Sequence, residues 1–244
     1  MKRESSAPAG LWKSLAAVFA VTVLTFALAG CTQATSSSAA SSTAASSDSA
    51  TAASEAPVEA TATGFKVDID APGWDKLTST PMIAAVEPVI EGVMDNGPLY
   101  FAIDADQPAA IEVDPGTYKV TFISGVNMDG SIYTFPSTKE VTAGTLDDAS
   151  AVLDVEATLV AADYVTPEQM EHVIAASTIA TQSLSGTDKD GSAILEDIIK
   201  NAQSAPEVPV ENIQSAQDLA RSALENGEAS DITLNTPPQN LTAE

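Results

Sequence analysis

The spacing of apolar residues changes character along the chain. An apolar run over residues 15–29 follows Lys2, Arg3 and Lys13 and gives way to small residues just before Cys31. From Phe65 the period is two: Phe65, Val67 and Ile69 alternate with Lys66, Asp68 and Asp70. Tyr118, Val120 and Phe122 repeat the pattern, and Leu153, Val155, Ala157 and Leu159 alternate with Asp154, Glu156 and Thr158. Such alternation predicts half-buried strands. Turn chemistry separates them at Asp95-Asn96-Gly97, Asp114-Pro115-Gly116 and Asp129-Gly130, where Gly supplies a positive φ and Pro presets a turn-compatible one. Residues 81–94 are ambiguous, because Ile83, Val86, Val89 and Val93 suit either a helix broken at Pro88 or a pair of strands.

From Thr166 the period is helical. Thr166-Pro167-Glu168-Gln169 is a capping box with Pro at the first helical position. Met170, Val173 and Ile174 begin a stripe that Ser177 continues weakly. Ile194, Leu195, Ile198, Ile199 and Ala202 mark the buried face of a second helix. After a linker over residues 206–209, Ile213, Ala216, Ala220, Ala223 and Leu224 mark a third, ending near Gly227, whose mostly alanine stripe predicts weak packing. The whole reads as a mainly β protein: an antiparallel immunoglobulin- or prealbumin-like β-sandwich over residues 64–163, a three-helix region over 164–227, and a disordered tail over 228–244.

Composition adds the rest of the layout. Residues 31–63 are almost wholly Ser, Ala and Thr, with Asp48, Glu55 and Glu59 as their only charges. They bury too little apolar surface to offset ordering entropy and read as a disordered tether. Such a coil reaches roughly 30 Å on average and about 110 Å fully stretched. The first thirty residues have the tripartite form of a secretory signal. Their apolar run is short for a bilayer span, which needs roughly 20 residues. Leu28-Ala29-Gly30-Cys31 resembles the lipobox of bacterial lipoproteins. The resemblance implies a signal peptide over residues 1–30, diacylglyceryl transfer to the Cys31 sulfur, cleavage between Gly30 and Cys31, and a mature chain anchored by lipid on the extracytoplasmic face of a membrane. It also implies, from Thr32 in place of Asp after the cysteine, that a two-membrane cell would not hold the protein at its inner membrane. Cys31 is the only cysteine, which excludes disulfides and cysteine-based metal sites.

Without residues 1–30, the 10 basic and 34 acidic side chains fall to 7 and 33, a net charge of −26. Nucleic acid and anionic head groups are poor partners for such a surface. Within the strand region, Ile111-Glu112-Val113-Asp114-Pro115-Gly116-Thr117-Tyr118-Lys119-Val120, followed by Asp129-Gly130-Ser131-Ile132-Tyr133, resembles the repeating element of prealbumin-like and collagen-adhesin B-type surface domains. In such adhesin domains a Lys on the first strand can crosslink to an Asn or Asp on the last. Lys66 alternates out of phase with Phe65 and Val67 and should face water, which argues against that crosslink.

Catalytic chemistry finds little to work with. His172 is the only histidine, and neither a Gly-x-Ser-x-Gly turn nor a His-Glu-x-x-His pair is present. Aromatic residues are 5% of the chain, which leaves few platforms for sugars, and Trp74 is the one tryptophan after Cys31. Asp188-Lys189-Asp190-Gly191 looks like the middle of a calcium loop, but its first and twelfth positions would be Gly186 and Asp197, so a helix-capping turn explains it better. Asp104 and Asp106 share a face if their segment is a strand and would join Asp68 and Asp70 if the fold brought them together. No cofactor or metal is expected. The expectation is a non-enzymatic envelope lipoprotein whose tethered domain binds a protein or cell-wall partner; the alternatives are a ligand-binding module for calcium or a small solute, and an enzyme working with carboxylates alone.

Overall fold

A computed structural model describes residues 62–89, 97–147, 150–186, 189–235 and 237, all within one compact unit, Glu55–Glu244. Gly30, Cys31, the signal segment and the tether as far as residue 61 lie outside the described residues. The strands are β1 (Thr63–Asp70), β2 (Met82–Pro88), β3 (Leu99–Ile103), β4 (Ala109–Glu112), β5 (Gly116–Ile123), β6 (Ile132–Thr134), β7 (Lys139–Thr145), β8 (Val152–Glu156) and β9 (Thr158–Val160). A 3-10 turn at Ala162–Tyr164 leads into the helices α1 (Pro167–Ala180), α2 (Gly191–Ala202), α3 (Val210–Asn226) and α4 (Ala229–Thr233).

Hydrogen-bonded neighbours run β3-β2-β5-β7-β1-β4, with β8 also on β1, in a nearly closed and mainly antiparallel sheet; β6 and β9 pair separately. The parallel exception is β1 with β8, in the register Lys66↔Val152 to Asp70↔Glu156. One edge of β1 carries β4. The other is shared, Thr63 and Gly64 pairing with β7 and Lys66–Asp70 with β8. On the β4 side Gly64 permits the close approach of the two strands, since a Cβ there would lie 2.0 Å from the Ile111 carbonyl oxygen.

The period-two residues do what alternation dictates. Phe65, Val67, Ile69, Tyr118, Val120, Phe122, Leu153 and Val155 all enter one buried cluster. Leu159 departs from its expected place and is 40% exposed, because β8 ends at Glu156 and the chain turns to pair with β6. The ambiguous segment is strand β2 as far as Pro88, and residues 90–96 lie outside the described set. Its ambiguity has a physical cause. Met82, Ala84 and Val86 face the cluster inside the sheet, while Ile83 and Ala85 face a second cluster under the helices. A strand buried on both faces loses the polar alternation that would identify it.

The second cluster joins the outer side of β2, β3 and β5 to the helices through Ile83, Tyr100 and Ile123. Helix α1 starts as its sequence predicts, Thr166 Oγ1 accepting from Gln169 N at 3.2 Å and Gln169 Oε1 from Thr166 N at 3.0 Å. It touches β2, β5 and the other three helices and is buried on nearly every side. That explains its poor stripe, since a helix buried all round has no polar face. Helix α3 ends at Gly227 in the left-handed conformation, and Ala216 and Ala220 are fully buried along it, small side chains letting two helix backbones approach closely. Leu224 lies outside the contact and is 38% exposed.

Of the tail expected to be disordered over 228–244, Ala229–Thr233 is instead the helix α4, so the described residues hold four helices rather than three; residues 236 and 238–244 lie outside the described set. Ala229, Ile232 and Leu234 pack against the second cluster, and Thr233 Oγ1 lies 2.9 Å from the Tyr100 hydroxyl. Five residues are too few to reveal a helical period in sequence.

Candidate functional site

The connection between β1 and β2 is assembled by short-range rules. Pro72 and Gly73 form the centre of a turn in which Trp74 N donates to Ala71 O at 3.1 Å and Gly73 takes φ +75°. Pro then Gly with positive φ is the type II pattern. Asp75 organises the next turn, its Oδ1 accepting from Leu77 N at 2.7 Å and its carbonyl from Ser79 N at 2.8 Å. The loop then pairs with the chain after β5: Thr80 N donates to Val126 O at 3.1 Å and Met128 N to Thr78 O at 2.8 Å. Gly125 allows the approach, as a Cβ there would stand 2.4 Å from Thr80 O.

A buried polar network fixes the two loops together. The Tyr133 hydroxyl donates to Pro72 O at 3.1 Å and accepts from Asn127 Nδ2 at 3.2 Å. Asn127 Nδ2 also donates to Ser131 Oγ at 2.8 Å, and Asn127 Oδ1 accepts from Ser79 Oγ. Ser131 Oγ in turn donates to Asp129 Oδ1 at 2.6 Å, and this side-chain bond, with one from Ser131 N at 2.9 Å, holds the Asp129 carboxyl below the usual carboxylate range. Burial pushes the Tyr133 hydroxyl up. Each member of the network has its partners, the condition under which buried polar groups rigidify a structure.

These loops and α2 enclose a cleft of about 370 Å³. Trp74 is half-buried in its wall, with Nε1 donating to Thr80 O at 3.4 Å. Helix α2 contributes Asp197, Lys200 and Asn201, and is tied down by Asn201 Nδ2 donating to Val126 O at 3.0 Å. Lys189 pairs with Asp104 at 2.5 Å, and Lys76 pairs with Asp106 at 2.5 Å where both are well exposed. On the rim, Leu77 is 84% and Met128 58% exposed. A second concavity, of about 390 Å³, flanks Met128 and reaches Pro72 and Leu159. Leu77 and Met128 line the first concavity and Met128 and Leu159 the second, so a ridge of exposed apolar side chains runs between the two on a hydrogen-bonded base.

The other sequence candidates are scattered. His172 Nε2 lies 3.0 Å from Asn235 O, and burial pushes its imidazole below the ordinary value. Asp190 is the N-cap of α2, accepting from Ser192 N at 2.9 Å, and Gly191 sits where a Cβ would be 2.0 Å from Thr181 O. Asp188 lies outside the described residues. Asp104 and Asp106 take separate lysines, while Asp68 and Asp70 stand in register with Asp154 and Glu156. Among the described residues no three Asp, Glu or His side chains group closely enough to hold a metal ion. Lys66 is half-buried, and Nζ donates to Asp147 O at 2.8 Å.

Leu77 and Met128 escape sequence reasoning, for an isolated apolar residue in a polar loop carries no period. The one available cue is that each stands among turn-forming residues that predict exposure. Compared with known proteins, the chain matches no family model, no curated protein and no solved structure.

Proposed function

We propose that this chain is a non-enzymatic envelope lipoprotein, anchored through Cys31, that binds a protein partner along the Leu77–Met128 ridge and the adjoining Trp74 cleft. The observation that carries the reading is Leu77, 84% exposed on a loop whose backbone is fixed by Asp75 and by the segment after β5. Burying one such leucine contributes about 1.5–3 kcal/mol, and a rigid base spares the cost of ordering it on binding. Met128 beside it adapts its shape to a partner at little cost. A binding role without chemistry is supported by the engagement of Asp104 and Asp106 with lysines and of His172 with Asn235 O. The cleft volume of about 370 Å³ also favours, as a second reading, a small polar solute beside Trp74.

The scaffold belongs to the same proposal: an immunoglobulin- or prealbumin-like sandwich of β3-β2-β5-β7 against β4-β1-β8. Residues from both sets meet in one cluster, and the Asp114-Pro115-Gly116 turn carries the chain from one set to the other. The Tyr118 hydroxyl donates back to Asp114 O at 2.8 Å, the arrangement of the tyrosine corner found in such sandwiches.

The test is capture of envelope proteins on the lipidated full chain beside its Leu77→Asp, Met128→Lys double variant. The reading expects a discrete partner retained by the first and reduced at least about tenfold with the second at unchanged melting temperature. Equal capture by both forms overturns the ridge. Turnover of a substrate, abolished by Asp104→Asn, overturns the non-enzymatic reading.

A further inference from the structure

Strand β8 is bonded on one edge and open on the other. Lys66 N donates to Ala151 O and Ala157 N to Asp70 O, both at 2.8 Å, so the odd-numbered residues of β8 turn their backbone groups toward β1. In a regular ladder the N–H and C=O of Val152, Asp154 and Glu156 then point the other way. Among the described residues no strand pairs with that edge. Strand β7 lies beyond it. It meets β1 only at Gly144 and Thr145, then diverges to follow β5 because β8 has entered along β1. By the same alternation Glu140 and Thr142 turn their backbone groups toward the opening, since Lys139, Val141 and Ala143 face β5. The two edges border a groove of about 770 Å³, lined by Asp68, Asp70, Asp154, Glu156, Pro136 and Lys139.

We propose that the open edge of β8 accepts an extended segment of another protein in which Lys or Arg alternates with small apolar residues. Such strand addition draws affinity from main-chain bonds and selectivity from alternate side chains. The outward set of an added strand would lie beside exposed Asp154 and Glu156, with Asp68 and Asp70 one strand further on; these four carboxylates outnumber the nearby cations, Lys139 in the groove wall and Lys66, in register with Val152, whose ammonium already donates to Asp147 O. Opposite charges across neighbouring strands attract and like charges repel. The inward set would cover Leu153 and Val155, already 7% and 2% exposed, so it has room only for small groups. A second copy of β8 fits poorly, because its own carboxylates would stand beside these. Acidic residues on an edge also guard against self-association, and that role excludes acidic strands while leaving a basic one attractive. The site shares no lining residue with the Leu77 cleft and stands whether or not that cleft binds.

The test uses the lipidated mature chain in detergent micelles and a labelled heptapeptide alternating Lys and Val, with an alternating Glu and Val peptide as control. Saturable binding of the lysine peptide is expected, with amide exchange slowed at least about tenfold at Val152, Asp154 and Glu156 and unchanged at Leu153 and Val155. The pair Asp154→Lys, Glu156→Lys should reverse the preference between the two peptides, and Asp154→Pro should weaken binding by removing one outward donor. Binding without amide protection, protection already present in the free chain, peptide-independent dimers formed through β8, or no binding would each overturn the proposal.

Discussion

The cluster inside the sheet is filled by Phe65, Phe101, Phe122, Phe135, Tyr118 and Tyr133 with branched aliphatics, whereas the layer between sheet and helices, among the described residues, holds one aromatic residue, Tyr100, and is filled mainly by Ala, Ile and Val. The first is a strand core, in which large side chains from alternate positions interdigitate. The second is a contact of helix backbones, made close by small residues at Ala175, Ala176, Ala216 and Ala220. Strand β2 belongs to both. The two layers should therefore unfold together, yet respond oppositely to a change in side-chain size.

The largest effect should come from Phe65→Ala. The ring is fully buried and lies 6.3 Å from that of Tyr118, so its loss should cost about 3–5 kcal/mol in urea unfolding. Helical and sheet signals should be lost in one transition; a helical signal that outlasts the sheet would separate the two layers. Gly130→Ala attacks the contact between the cleft loop and the residues after α2. Gly130 has φ +88° and a Cβ there would lie 2.4 Å from Ala205 N, so a cost of about 2–3 kcal/mol is expected in the same assay. In the helix layer, enlargement should do the damage: Ala220→Leu should cost about 1–3 kcal/mol through overpacking against α1.

A truncation there should instead help. Ser177 Oγ is buried on α1 without a hydrogen-bond partner among the described residues, so Ser177→Ala should raise stability by about 1 kcal/mol. The smallest effect concerns pH. His172 has a folded-state value below its ordinary one, so the unfolded chain binds the proton more readily. Its contribution is complete above the unfolded value of about 6.5 and is lost as pH falls through that value toward the folded one. Melting temperatures at pH 7.5 and 5.5 should differ less in His172→Asn than in the natural chain.

What could be read from sequence divides along the same line. Phe65, Tyr118 and Leu153 announce their strands because each has a polar neighbour facing water. Ile83 and Ala85 do not, since β2 is covered on both sides, and α1 hides its role for the same reason. End signals survive burial better: the Thr166–Gln169 box and Gly227 mark α1 and α3 because they satisfy local backbone groups. Partner choice between strands is not local, and nothing in residues 152–156 tells that β8 lies parallel to β1. Of the cleft's lining, Trp74, Asp104 and Asp197 stand out in sequence, each for a different reason and none for the cleft that joins them. Leu77 gains meaning from Asp75, Asn127 and Tyr133, which are up to 56 residues away in the chain.

The most direct test of partner binding places a photo-crosslinking amino acid at Leu77 of the chain in living cells, with another exposed position, Asp218 on α3, as control. A discrete adduct is expected from position 77 in the membrane fraction, absent from position 218 and lost when Cys31→Ser releases the chain from the membrane. No adduct from position 77, the same adducts from both positions, or an adduct indifferent to Cys31 would contradict partner binding by the anchored chain.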